Sequence, residues 1–365
     1  MTTDAATRPE IEEMRPPVDQ IGVIGWIRVN LFSGWANSLL TVVVLWFLWK
    51  TVPPLVEWTF LDSHWFTGSE ACRDAEGACW SIIPNNIRFI LFGFYPAELQ
   101  WRPLTAMLVL FGLLTISRFR RFWKKPLLWT WLAGLAAMAI LMRGGILGLE
   151  PVESSQWGGL PLTLILSVFG LAAAYPLGVV LALGRQSRMP AIKSLCVVYI
   201  ELIRGVPLIS LLFMSAVIFP LFLPEGVTIN KILRAQAAII LFTAAYIAEV
   251  VRGGLQAIPK GQYEAADSIG LNYARTMRLV ILPQALKIVI PPSVSILISA
   301  FKDTSLVVII ALFDVLKTTQ STLSNPKWMG FSTEAYIFVA IIYFVGCYFM
   351  STFSRKLERD LNTSH

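Results

Sequence analysis

The chain has 365 residues, of which 56% are hydrophobic and only 15% charged, against about 25% charged in an average soluble domain. With 13 Trp and 22 Phe, that much apolar surface under so few charges excludes an ordinary water-soluble enzyme, a disordered chain and a disulfide-rich secreted scaffold. The formal net charge of +7 is what a polytopic helical membrane protein acquires from Lys and Arg in its inner loops; no basic helix or aromatic-interleaved patch stands apart from the apolar runs to bind nucleic acid.

The first 27 residues mix charges with proline and hold no apolar stretch, which predicts a solvated tail and not a cleavable signal. A helix crosses about 30 Å of hydrocarbon in roughly 20 residues. Runs near that length predict spans at Val29–Trp49, Pro103–Ser117 (with Arg102 snorkelling to lengthen it), Pro126–Met142, Leu160–Gly184, Gly205–Pro224 (the helix starting near Leu195), Ala235–Ala248 extended to about Val251, Leu279–Phe301 and Ala335–Ser354. The expected fold is all-α, with about eight transmembrane helices. Lys and Arg fall roughly two to one in favour of the inner segments when the N-terminus is placed inside, so both termini are expected in the cytoplasm.

Two parts are expected: residues 1–150, with a tail, three spans and a long outer loop over about 57–102, and a functional core, 151–365. Cys72 and Cys79 lie in the outer loop with six residues between them. In an oxidising compartment they could close a small disulfide that pins the loop; the alternative is two unpaired thiols. Cys196 and Cys347 fall in spans and read as packing residues.

The most informative segment is the inner loop 253–286, within it Ile258–Pro283. It is too polar for lipid and too helix-prone for a linker. Gln262–Ile269 suits a short helix, Gly270 a turn, and Leu271–Val280 a second short helix that Pro283 would break. The expectation is a helix–turn–helix finger flat below the membrane. Ala265 and Ala266 are small enough for a partner's groove to close around, and Glu264 offers that partner a charge. The competing reading is an amphipathic helix resting on lipid headgroups.

The run Glu264-Ala265-Ala266, three residues, Gly270, nine residues, Val280-Ile281-Leu282-Pro283 resembles the EAA loop of ATP-binding-cassette (ABC) importer permeases, with Val280 where isoleucine is usual. Tyr199 to Leu208 (YIELIRGVPL), Ala248 to Gly254 leading into Pro259-Lys260-Gly261-Gln262, and Lys302-Asp303-Thr304-Ser305-Leu306 are similar to the polar amino-acid branch. This likeness covers about 155–355. The three-span extension resembles that of the larger, M-type permease subunits of general L-amino-acid importers. The resemblance implies a type I importer of the bacterial inner membrane with a five-helix core. It also implies a second homologous permease, two cytoplasmic ATPases that carry ATP and Mg, and a periplasmic amino-acid-binding protein. The finger would be the coupling helix, through Glu264, Ala265, Ala266, Gly270 and Pro283. No cofactor and no catalysis are expected on this chain itself.

Ionisable residues within spans invite a functional reading. Glu201 with Arg204, and Glu249 with Arg252, each share a helical face three residues apart. They are expected as ion pairs or gates near the inner boundary, less readily as substrate contacts. Lys302, Asp303 and Thr304 lie at the outer end of the seventh span. Leu306–Phe313 behind them is too short to cross and suits a re-entrant helix. Prolines 176, 207, 220, 291 and 292 are possible kinks. Two histidines, His64 and His365, and no HExxH, CxxC, GxSxG or P-loop motif leave little for metal or nucleophile chemistry. A secondary transporter would show unpaired mid-span acids and repeats, and neither stands out. A non-transporting membrane scaffold fits the finger as well.

Overall fold

A computed structural model describes residues 22–74, 76–117, 119–122 and 125–362. The tail up to residue 21, Arg118 and Lys124 of the basic loop, and His365 lie outside the described residues. The chain forms two compact units, Met1–Cys79 and Trp80–His365.

In the first unit, α1 (Gly22–Leu31) is followed by α2 (Trp35–Val56) and a π turn, Glu57–Leu61, that together make one apolar run of 27 residues. The span therefore starts later than Val29, because Gly34 is extended and breaks the helix. Lys50 does not close it; the helix continues through Pro53 and Pro54. A proline cannot donate to the turn before it, and the wide π turn directly afterwards absorbs the mismatch. No residue of α2 is buried within the unit, as expected of a helix whose solvent is lipid. Beyond α3 (Ser69–Arg73), Cys72 and Cys79 are bonded across a Cα–Cα distance of 5.6 Å. His64 N–H donates to the Ala78 carbonyl and Ala78 N–H to that of Trp58, both at 2.8 Å, so the bridged loop is fastened to the end of the helix that leads into it.

The second unit holds α4 (Ile82–Phe92), α5 (Trp101–Ser117), α6 (Lys125–Arg143), α7 (Gly159–Arg185), α8 (Pro190–Gly205), α9 (Leu208–Phe213), α10 (Lys231–Gln256), α11 (Lys260–Ser268), α12 (Tyr273–Thr276), α13 (Leu282–Asp303), α14 (Val315–Leu323) and α15 (Ser332–Asn362). Among the described residues of the whole chain, seven helical runs are long and apolar enough to cross a membrane, or eight if α8 and α9 count as one bent span. The centre is α7 against α10. In lipid, helices associate by packing and not by release of water, so small residues decide how closely they approach. A Cβ on Gly178 would lie 2.6 Å from the Ile247 side chain, and one on Gly170 would lie 2.9 Å from Gln236. Two apolar clusters flank this seam. One joins Leu162, Leu166, Leu212, Ile239 and Val307; the other joins Ile247, Val251, Leu255, Met277 and Ile281.

Two expectations are corrected. The span at Gly205–Pro224 is not one straight helix: α8 ends at Gly205 and the chain bends by 104° before Leu208–Phe222. Val206 is extended (φ −107°, ψ 133°) because the ring of Pro207 excludes the α conformation from the residue before it. Arg102 does not snorkel. It is 0% exposed, donating from Nε to the Leu141 carbonyl and from Nη1 to that of Glu150, both at 2.8 Å. Tyr95 donates to the Met142 carbonyl at 3.1 Å. The last carbonyls of α6 have no partner within their own helix. The buried guanidinium faces the negative end of the helix dipole and serves the Leu141 carbonyl, while Tyr95 serves Met142 and Val152 N–H serves Arg143 at 2.7 Å.

Candidate functional site

The loop between α10 and α13 is built around one well-capped helix. Pro259 is extended and opens α11, with Gln262 N–H donating to its carbonyl at 3.0 Å. At the other end Gly270 has φ +77°, Gly270 N–H donates to the Asp267 carbonyl at 3.0 Å and Leu271 N–H to that of Ala266 at 3.1 Å. These are the two bonds of a Schellman cap, which needs a left-handed residue at its centre. Asn272 then caps α12, its side chain accepting from Arg275 N–H at 3.0 Å.

The second half of the expected finger is corrected. Residues Tyr273–Ile310 form one continuous run of 38 residues, so the second helix is the lead-in of the next span. Pro283 does not break it. It lies in the first turn of α13, directly after a π turn at Met277–Ile281 whose extra width makes room for the ring. The finger is thus α11 alone, carried on a rod that passes through the bundle.

The faces of α11 are unequal. Ala266 is 3% exposed, so the pairing of both alanines as an outward surface is also corrected. It packs toward the chain, while Glu264 and Ala265 are exposed. Tyr263 packs on the Ile247–Ile281 cluster, and burial, reinforced by the neighbouring Tyr273, pushes its phenol above the usual range. Gln284 donates to the Gln262 side chain at 3.0 Å, tying α11 to α13.

Glu201, Arg204, Glu249 and Arg252 come together as one cluster and not as two local pairs, and Arg185 at the end of α7 joins them. Arg185 Nη1 lies 2.8 Å from Glu201 Oε1 and 3.3 Å from Glu249 Oε2. Arg204 Nη1 is 3.6 Å from Glu249 Oε2 and 4.0 Å from Glu201 Oε2. Arg252 Nε donates to Glu249 Oε1 at 3.0 Å. Glu249 is the hub: it touches an arginine from each of α7, α8 and α10. The i,i+3 spacing made the local pairs legible. Arg185 looked like one more charge closing a span, and only the packing of α7 beside α10 identifies its partner.

Between α10 and α13, Phe242, Thr243, Tyr246, Ser295, Ile296, Ser299, Ala300 and Asp303 line a cavity of about 330 Å³. Arg204 stands 5.7 Å from the centre of the Tyr246 ring, so the ion cluster adjoins the cavity through α10. Asp303 is the charged group of the lining, which also includes Thr243, Ser295 and Ser299. Lys302 is exposed, and Thr304, 0% exposed, donates to the Phe301 carbonyl at 2.7 Å. The expected re-entrant segment is a 3-10 turn, Thr304–Ile310, then a reversal at Ala311 (φ +53°) into α14. Asp314 caps α14 by accepting from Lys317 N–H at 2.9 Å, and Tyr343 Oη lies 3.3 Å from its other oxygen. Burial pushes this carboxyl up to about 6. Among the described residues, no group of three or more His, Cys, Asp and Glu is placed to hold a metal ion.

Residues 174–363 match the family described as binding-protein-dependent transport system inner membrane component. The inner membrane amino-acid ABC transporter permease protein YhdY of Escherichia coli (strain K12) is 49% identical over 344 residues, covering 93% of this chain and 93% of that protein. The glutamate/glutamine/aspartate/asparagine transport system permease protein BztC of Rhodobacter capsulatus is 39% identical, covering 100% of each. The crystal structure of an amino acid ABC transporter with histidines matches at 32% identity and a TM-score of 0.50, covering 55% of this chain and 92% of that one.

Proposed function

This chain belongs to the family of binding-protein-dependent transport system inner membrane components, with the type I ABC permease fold, and on that premise we propose that it forms a translocation pathway for polar L-amino acids and is driven by ATPases seated on α11. The full-length relatives support the substrate class, since both are named as amino-acid or glutamate-type permeases. The family supports a place in the inner membrane. The charge bias supports both termini in the cytoplasm, and hence α11 on the ATPase side.

The observation that carries the coupling role is the build of α11. It is a single helix, rigidly capped at Gly270, anchored by Ala266 and Tyr263 and displaying Glu264 and Ala265. Because α11 is joined through the capped turn at Gly270 to one continuous helical run, Tyr273–Ile310, displacement of α11 by a closing ATPase dimer would be passed across that turn and along α13 as a rigid-body movement. Two arrangements of the bundle separated by little energy are then enough for nucleotide to select one. ATP and Mg belong in this reading to the two ATPases. A second homologous permease completes the pathway, and a periplasmic binding protein delivers the amino acid. The cluster centred on Glu249 is the inner gate. Lys302, Asp303 and Thr304 stand at the outer end, with the Asp303 carboxylate on the cavity wall suited to an ammonium group.

The test is uptake of labelled glutamate, glutamine, aspartate and histidine by vesicles holding the reconstituted complex. Uptake is expected only with ATP inside and binding protein outside, and Asp303→Asn is expected to lower it at least tenfold while leaving assembly intact. Uptake by this chain in vesicles without ATPase would mean a secondary transporter and end the proposal.

A further inference from the structure

Helix α4 lies in the N-terminal extension, yet it is packed at the end of the bundle opposite α11, against the segment that terminates the α13 rod. Thr318 of α14, 0% exposed, donates to the Ile90 carbonyl in the last turn of α4 at 2.8 Å. Such a carbonyl has no acceptor duty within its own helix. Phe94 meets Phe313 edge-on with ring centres 4.8 Å apart, and Ile90, Val315 and Val339 form a small apolar cluster. At its end α4 is also held to the start of α7. Gly93 (φ +61°) and Gly159 (φ +64°) bring the two backbones together, and a Cβ on Gly159 would fall 2.1 Å from the Leu91 carbonyl oxygen. Gly159 N–H in turn donates to the Phe313 carbonyl at 2.7 Å.

We propose that α4 is a clamp supplied in cis, gripping α14 to the start of α7 and so opposing the opening of the outer mouth until a loaded binding protein docks. This rests on the transporter reading above, in which ATP-driven closure of the ATPases moves the far end of α13. The geometry suits a device that yields. One side-chain hydrogen bond, one ring pair and a three-residue cluster are a small contact beside the α7–α10 seam, and they add to the direct bond by which α14 also meets α7, Val315 N–H to Thr163 Oγ1 at 3.2 Å. The clamp belongs to the long permeases. The solved relative matches only 55% of this chain with 92% of its own length, so it is too short to carry both this core and the extension.

The test uses the complete complex in vesicles and reads ATP hydrolysis without binding protein. Thr318→Val removes the hydroxyl and keeps the shape. Loss of one hydrogen bond of this kind is expected to raise basal hydrolysis about fivefold, with uptake in the presence of binding protein preserved. Spin labels at Asn85 and Ser324, with Cys196 and Cys347 replaced by alanine, read the contact without relying on that variant. One separation is expected without nucleotide and a longer one in the ATP-trapped complex. Basal hydrolysis equal to wild type would overturn the clamp, as would a single separation in both states. Absence of ATP-driven uptake by the wild-type vesicles would instead count against the transporter reading itself.

Discussion

Replacing Gly270 by valine leaves the chain inserted and assembled but reduces uptake to less than a tenth. The position is open, with no heavy atom within 4 Å of where a Cβ would stand, so the substitution creates no collision. Its effect is conformational. Gly270 holds φ +77°, a region in which an L-residue is disfavoured by about 1–2 kcal/mol and a β-branched one by more. Both capping bonds, to the carbonyls of Asp267 and Ala266, depend on that geometry. Without them the end of α11 frays and its direction relative to α13 is no longer fixed, so movement of the ATPases is dissipated in the joint. Asparagine tolerates the left-handed region, and Gly270→Asn is expected to retain most uptake. Binding-protein-stimulated ATP hydrolysis should fall with uptake in the valine variant and persist in the asparagine one. If both variants transport normally, the joint is not transmitting force.

Glu249→Gln is expected to have the next largest effect, a fall of about tenfold in uptake with a loss of stability. Its carboxylate faces Arg185 at 3.3 Å, Arg204 at 3.6 Å and Arg252 at 3.0 Å. Removing it leaves three guanidinium groups to repel one another, with only Glu201, whose side chain is 53% exposed, between two of them. A buried pair broken on one side costs about 3–5 kcal/mol. Here the arginine side chains are 23–33% exposed, so solvent screening reduces the figure to about 1–2 kcal/mol. Glu201→Gln should cost much less, because water already serves that carboxylate. Adding Arg185→Gln to Glu249→Gln should restore part of the loss, and the coupling is read from thermal unfolding of the purified variants. Equal effects from Glu201→Gln and Glu249→Gln would remove the hub.

The spans were legible in the sequence because hydropathy and length are the constraints that lipid imposes. Gly159–Arg185 and Trp101–Ser117 fall within a few residues of the runs read from composition alone. The turn at Gly270 was legible for a similar reason, as a glycine directly after a helix-prone stretch. The break at Pro207 had a local signal, the restriction of Val206, which the uninterrupted apolar run concealed. Three features had none. Arg102 reads as an interfacial arginine until the end of α6 is seen to lie over it. Ala265 and Ala266 are chemically identical, and only the packing of α11 separates an outward residue from an anchor. The helices α4 and α14 are too short to announce themselves as spans and were absorbed into loops, and with them went Asp314 and the contact between Ile90 and Thr318.

The central claim is that α11 seats on an ATPase and moves with it. A single cysteine at exposed Ala265, in a chain whose Cys196 and Cys347 are replaced by alanine, tests this by site-directed crosslinking in the assembled complex. The account predicts a bond to the ATPase subunit through a short spacer, with uptake arrested by the crosslink and restored by reduction. Crosslinks to lipid alone across a series of spacer lengths, in vesicles that transport normally, would contradict it.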